Sequence, residues 1–89
     1  MTTADFFNPL PANDALIFWV IYHRPPDIPG AEYVMRPQYA EAYTGQILCS
    51  ARAVVAPTLD EARASIPVRG LYRQERDKSD PLCIVESWF

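Results

Sequence analysis

The seven residues Leu16-Ile17-Phe18-Trp19-Val20-Ile21-Tyr22 constrain this chain more than any other stretch. The run is continuous, aromatic and β-branched, which is the composition of a β-strand. Successive residues of a strand point to opposite faces. Leu16, Phe18, Val20 and Tyr22 therefore share one side, and Ile17, Trp19 and Ile21 the other. Both sides are apolar, so the strand needs cover on both. A chain of 89 residues has room for one core of ordinary size.

What can follow this strand is limited by proline. The chain has nine prolines, roughly twice the usual share, and only three glycines. His23-Arg24-Pro25-Pro26-Asp27-Ile28-Pro29-Gly30 is a stiff loop, unable to form a helix or a central strand. Glu32 to Tyr39 reads as a second strand, with Tyr33, Met35 and Pro37 opposed to Val34, Arg36 and Gln38. Pro37 lacks an N–H, so the strand lies at an edge or breaks there. Ala40 to Gly45 is a turn, and Gln46 to Ala56 offers a third strand.

Pro57-Thr58-Leu59-Asp60-Glu61 is a helix start. Thr58 accepts from the Glu61 N–H, and Glu61 reaches back to Thr58, as in a capping box. Leu59, Ala62, Arg63 and Ile66 follow at helical spacing, and Ile66-Pro67 stops the helix. The spacing predicts one short helix over about residues 59–66, which needs tertiary cover to be stable. Gly70 to Arg73 is a short strand, Gln74 to Pro81 a charged loop, and Leu82 to Phe89 the last strand. Strict alternation there puts Leu82, Ile84, Glu86 and Trp88 on one face and Cys83, Val85, Ser87 and Phe89 on the other. The expected fold is α+β: a mostly antiparallel sheet of four to five strands with one short helix on one face. Its opening and closing strands are central or adjacent. Residues 1–14 form an N-terminal extended tail, and residues 15–89 a single α+β domain. Phe6, Phe7 and Leu10 make that tail apolar, so it folds back on the core or docks on a partner.

The opening Phe18-Trp19-Val20-Ile21-Tyr22-His23, the Pro25-Pro26 turn, the Thr58 helix start and the closing Glu86-Ser87-Trp88 together resemble a group of small uncharacterised bacterial and phage proteins. The resemblance covers residues 16–89. It implies the same order of strand, Pro-rich turn, capped helix and closing strand. It implies no activity and no site residue.

Composition narrows the function classes. Hydrophobic residues are 49% and charged residues 21%, which marks a folded domain and not a disordered segment. The longest apolar run, Ala15 to Tyr22, is eight residues, far short of the roughly 20 of a membrane helix. Met1 to Asp5 carries no basic group before an apolar stretch, so no secretory signal and a cytoplasmic location are expected. Cys49 and Cys83 then read as free thiols of the core. A net charge of −3 gives no general reason to bind nucleic acid or anionic lipid.

Chemistry-bearing patterns are sparse. His23 is the only histidine, so a multi-histidine metal site within one chain is excluded, and no Cys-x-x-Cys spacing supports a mixed one. His23 reads as a histidine capping the end of the first strand. Three scattered glycines build no phosphate-binding loop. Glu86 stands out on an apolar strand face, at a sheet edge or paired with Arg36 or Arg52. Arg69, Arg73, Arg76 and Lys78 surround Tyr72, but Glu75 and Asp77 interrupt them. No catalytic residue, cofactor or metal is expected.

The remaining signal is excess apolar surface. One short helix covers only part of one sheet face, which leaves aromatic groups to be covered by the tail, a second copy or another protein. The reading is a non-catalytic protein-interaction or accessory module, self-associating or bound to a protein partner, with its interface at Trp19, Ile84 and Trp88. Two alternatives stay open: a small-ligand or enzyme module using a pocket between the Pro-rich loop, His23 and the helix, and a weak nucleic-acid binder through residues 69–78.

Overall fold

The first strand lies at the centre of the molecule. In a computed structural model describing residues 2–7, 10–11 and 15–89, β1 (Leu16–His23) pairs antiparallel with β2 (Tyr33–Ala40) on one side and with β6 (Ile84–Trp88) on the other. β3 (Ile47–Cys49) and β4 (Val54–Ala56) both pair with the outer edge of β2, and β5 (Arg73–Glu75) pairs with β6. The result is a six-stranded antiparallel sheet in the order β3-β2-β1-β6-β5, with β4 beside β3 on β2, and one helix, α1 (Leu59–Ala64). The α+β architecture is the expected one, with one strand more than four to five. The extra strand arises because residues 46–56 form two strands and not one. Residues 8, 9 and 12–14, where turn residues cluster in the tail, lie outside the described residues.

Pro37 explains the split. It sits inside β2, opposite Trp19, and is fully buried, so β2 is neither an edge strand nor broken. On its outer side the β3 register carries Pro37 to Ser50. There the Ser50 N–H donates to the Pro37 carbonyl at 2.9 Å. The reciprocal bond would need a proline N–H, which does not exist. Pairing with β3 stops at that residue, and the chain leaves the sheet before returning as β4. The proline interrupts the pairing, not the strand.

The face carrying Ile17, Trp19 and Ile21 holds the main core. Trp19, Ile21, Met35, Ala56, Ala62 and Ile66 are buried together. Thr58 accepts from the Glu61 N–H at 3.2 Å and starts α1, which lays Ala62 on β2 and β4. The other end of this face is covered by the N-terminal segment. A 3₁₀ turn, Thr3–Asp5, leads into Phe6 and Phe7, which are both buried. Phe6 meets Trp19 edge-on at 5.5 Å and Phe7 meets Tyr39 at 5.1 Å. The hydroxyl of Ser50, just past the end of β3, donates to the Phe6 carbonyl at 2.7 Å and fixes the segment in place.

Candidate interaction surface

The second sheet face carries Leu16, Phe18, Val20 and Tyr22 from β1, and it divides into two halves. One half lies toward the Pro-rich loop. Asp27 of that loop accepts from Arg36 at 3.0 Å, and the Arg36 guanidinium lies over the Tyr22 ring at 5.2 Å. Pro25 and Ala31 of the loop are buried, as are Val20 and Val34 on the sheet beneath. The prolines set this loop stiffly back over the sheet, with Gly30 at φ +84° supplying a turn that other residues rarely adopt.

The other half is open. The strand register puts Leu16, Ala40 and Ile47 in one cross-strand row. Phe18, Gln38 and Cys49 form the next, and Phe89 extends it by packing on Phe18 at 5.5 Å. Tyr72 follows, bonded to Phe89 through both backbone groups. Leu16 is 51% exposed, Ile47 59% and Tyr72 79%. No charged residue lies within these rows. The patch crosses β3, β2, β1, β6 and the start of β5, so a single broad surface is assembled from five segments distant in sequence.

The three residues expected at an interface lie elsewhere. Trp19 is 2% exposed, under Phe6. Trp88 sits opposite it on the same face, half-buried, and its indole N–H donates to Glu86 at 2.5 Å. Ile84 is on the other face. A register shift pairs Ile21 with Glu86 and Tyr22 with Ile84, so Val85 is an extra residue. Such a bulge reverses the alternation beyond it. Ile84 therefore joins Tyr22, while Val85 packs with the Trp19 core. The bulge has no signal in the sequence, and strict alternation misassigns both residues.

Glu86 is the most isolated charge in the fold. It is fully buried, and its partners are Arg63 and Arg73 and not Arg36 or Arg52. Arg63 donates Nε to Oε2 at 2.9 Å and Nη2 to Oε1 at 2.7 Å, and Arg73 Nε donates to Oε1 at 3.2 Å. With the Trp88 indole, four donors occupy the two oxygens. Burial pushes this carboxyl up, but the bonds from Arg63, Trp88 and Arg73 outweigh it and hold it below the ordinary glutamate range. A carboxylate saturated in this way ties α1 to β6; it offers no free lone pair to a substrate.

The other chemical patterns are dispersed. His23 ends β1, its ring stacked on Tyr33 at 4.8 Å and its Nε2 3.0 Å from Glu32 Oε1, at the surface. The depression in the Pro-rich loop is lined by Arg24, Pro25, Pro26, Ile28, Gly30 and Glu32 and includes neither His23 nor a helix residue. In the 69–78 stretch Arg73 turns to Glu86, Arg76 is held by the Asp80 and Pro81 carbonyls, and Tyr72 faces the other side. Both cysteines are free, but Cys49 is exposed on the open face and is not a core residue. Among the described residues no three His, Cys, Asp or Glu side chains gather to hold a metal ion, and no helix is long and apolar enough to cross a membrane. Comparison with models of protein families, with curated proteins and with solved structures finds no match to this chain.

Proposed function

We propose that this chain is a non-catalytic interaction module that docks on another protein through the open half of its second sheet face. One observation carries this reading. An apolar patch with no charged side chain, built on exposed Leu16, Ile47, Tyr72 and Phe89 around partly buried Phe18, lies open, while the opposite face is largely covered by α1 and the N-terminal segment. Exposed apolar surface of this breadth is uncommon on a protein that works alone, and aromatic residues are enriched where proteins meet. The occupant that fits is a protein surface of matching apolar character. No side chain of the patch carries a charge with which an ionic ligand could pair.

A photo-crosslinking residue replacing Ile47 in the native host tests it, with the same residue at Lys78 as control. The expected result is one protein adduct specific to position 47. That protein, purified, then binds the wild-type chain at one to one and fails to bind a Leu16→Glu, Ile47→Lys double variant. Adducts indistinguishable from the Lys78 control, or equal binding by the double variant, would overturn the reading.

A further inference from the structure

The outer edge of β5 points to a second surface, distinct from the open face. Tyr72 and Phe89 exchange both backbone bonds, at 2.9 and 3.1 Å. In an antiparallel ladder such bonded pairs alternate with non-bonded ones. The register Arg73 to Trp88, Gln74 to Ser87 and Glu75 to Glu86 therefore turns the Gln74 backbone toward β6 and the Arg73 and Glu75 backbones away from it. β5 is the last strand on its side of the sheet, and all three of its residues are exposed. Two N–H and two C=O groups thus face outward, without a backbone partner among the described residues.

These groups restrict what can pair with them. A second copy related by a two-fold axis at Gln74 places Arg73 opposite Glu75 of the second copy, and Glu75 opposite its Arg73. Both are bonding positions, so four backbone hydrogen bonds form. Each bonded pair is also an opposite-charge pair, which stabilises an antiparallel edge. A two-fold at Arg73 would oppose arginine to arginine, and one at Glu75 glutamate to glutamate. A shift of one residue would turn the donors away. Only the axis at Gln74 satisfies both the hydrogen-bond phase and the charges. We infer that a second copy of this chain pairs along β5 with this register and joins two six-stranded sheets into one.

The contact is short, well below the area of a stable dimer. Association is therefore weak and depends on concentration. Light scattering from roughly 10 µM to 1 mM should show the mass rising from 10.1 kDa toward twice that value. Glu75→Pro removes one outward donor while leaving the pairing with β6 intact. It should abolish the rise without changing the circular dichroism spectrum. Glu75→Lys, which opposes two cations in each pair, should weaken association about tenfold or more. In a Cys49→Ser, Cys83→Ala background, Gln74→Cys should form a disulfide-linked dimer on mild oxidation, because facing residues of a non-bonded pair lie within disulfide reach. Lys78→Cys should not. A mass that stays monomeric throughout would overturn the inference. So would a dimer that survives Glu75→Lys and fails to cross-link at residue 74. If such a dimer were lost in the Leu16→Glu, Ile47→Lys variant, it would belong to the open face, and only the edge inference would fail.

Discussion

Glu86 shows how one residue can be conspicuous in the sequence and still be misread. A lone carboxylate among Ile84, Val85 and Trp88 signals a buried charge, and buried charges need partners. Which partners it has depends on α1 packing over β2 and β4 so that the Arg63 side chain reaches across to β6, and that is a tertiary fact. The arginines nearest in an alternation argument are committed elsewhere, Arg36 to Asp27 and Arg52 to the Asp5 carbonyl. Removing the charge leaves Arg63 and Arg73 without their common acceptor. Glu86→Gln should therefore cost about 3 kcal/mol in chemical denaturation. Its folded pKa lies below the unfolded value of 4.5, so protonation favours the unfolded chain. The stabilisation is complete above that value and is lost as pH falls through the folded pKa. Thermal melts from pH 7 to pH 3 should fall less steeply on the acid side for Glu86→Gln than for the wild type.

At the scale of elements, local signals and long-range pairing divide the work. The helix is legible because its start and stop are local. Thr58 caps it and Ile66-Pro67 ends it, although only the Thr58 half of the expected reciprocal cap is formed. Thr58→Ala should cost about 1 kcal/mol in chemical denaturation. The strands are legible where composition is extreme, as in β1, and their ends are not. β3 stops where Pro37 fails to donate, and β6 changes face at Val85; both are properties of a pair of strands and not of either segment alone. The N-terminal segment illustrates the same point. Phe6 and Phe7 could be expected to fold back on the core or to dock on a partner, and they take the first course, through Trp19, Tyr39 and Ser50. Fully burying a phenylalanine is worth about 1.5–3 kcal/mol. Deleting residues 1–7 should lower stability by several times RT and expose the Trp19 face, read as increased fluorescence of a hydrophobic dye. Unchanged stability would show that the segment is not part of the core.

The whole molecule is a sheet with unequal faces. One face is closed by a helix at one end and by the N-terminal segment at the other, and the second is half closed by the Pro-rich loop. The open remainder is exposed already, so charging it should not disturb the core. Leu16→Glu with Ile47→Lys should change unfolding free energy by less than about 0.5 kcal/mol. It should also reduce dye binding to the native protein. A large loss of stability would mean instead that these side chains support the fold. The effects predicted on binding and on stability are thus separable, and the two proposed surfaces, face and edge, can be tested apart.

By itself the sequence determined the β1 strand with its two apolar faces, the short helix, the stiff first loop and the excess of apolar surface. These depend on composition, spacing and proline, all of which act over a few neighbouring residues. The tertiary structure decided where the excess surface lies. Trp19, expected at an interface, is buried under Phe6, Trp88 is half-buried opposite it on the same face, and the exposed patch falls to Leu16, Ile47, Tyr72 and Phe89 around Phe18. Strand order, register and the return of the N-terminal segment bring together residues far apart along the chain. No local pattern of residues encodes which of two apolar faces will be covered.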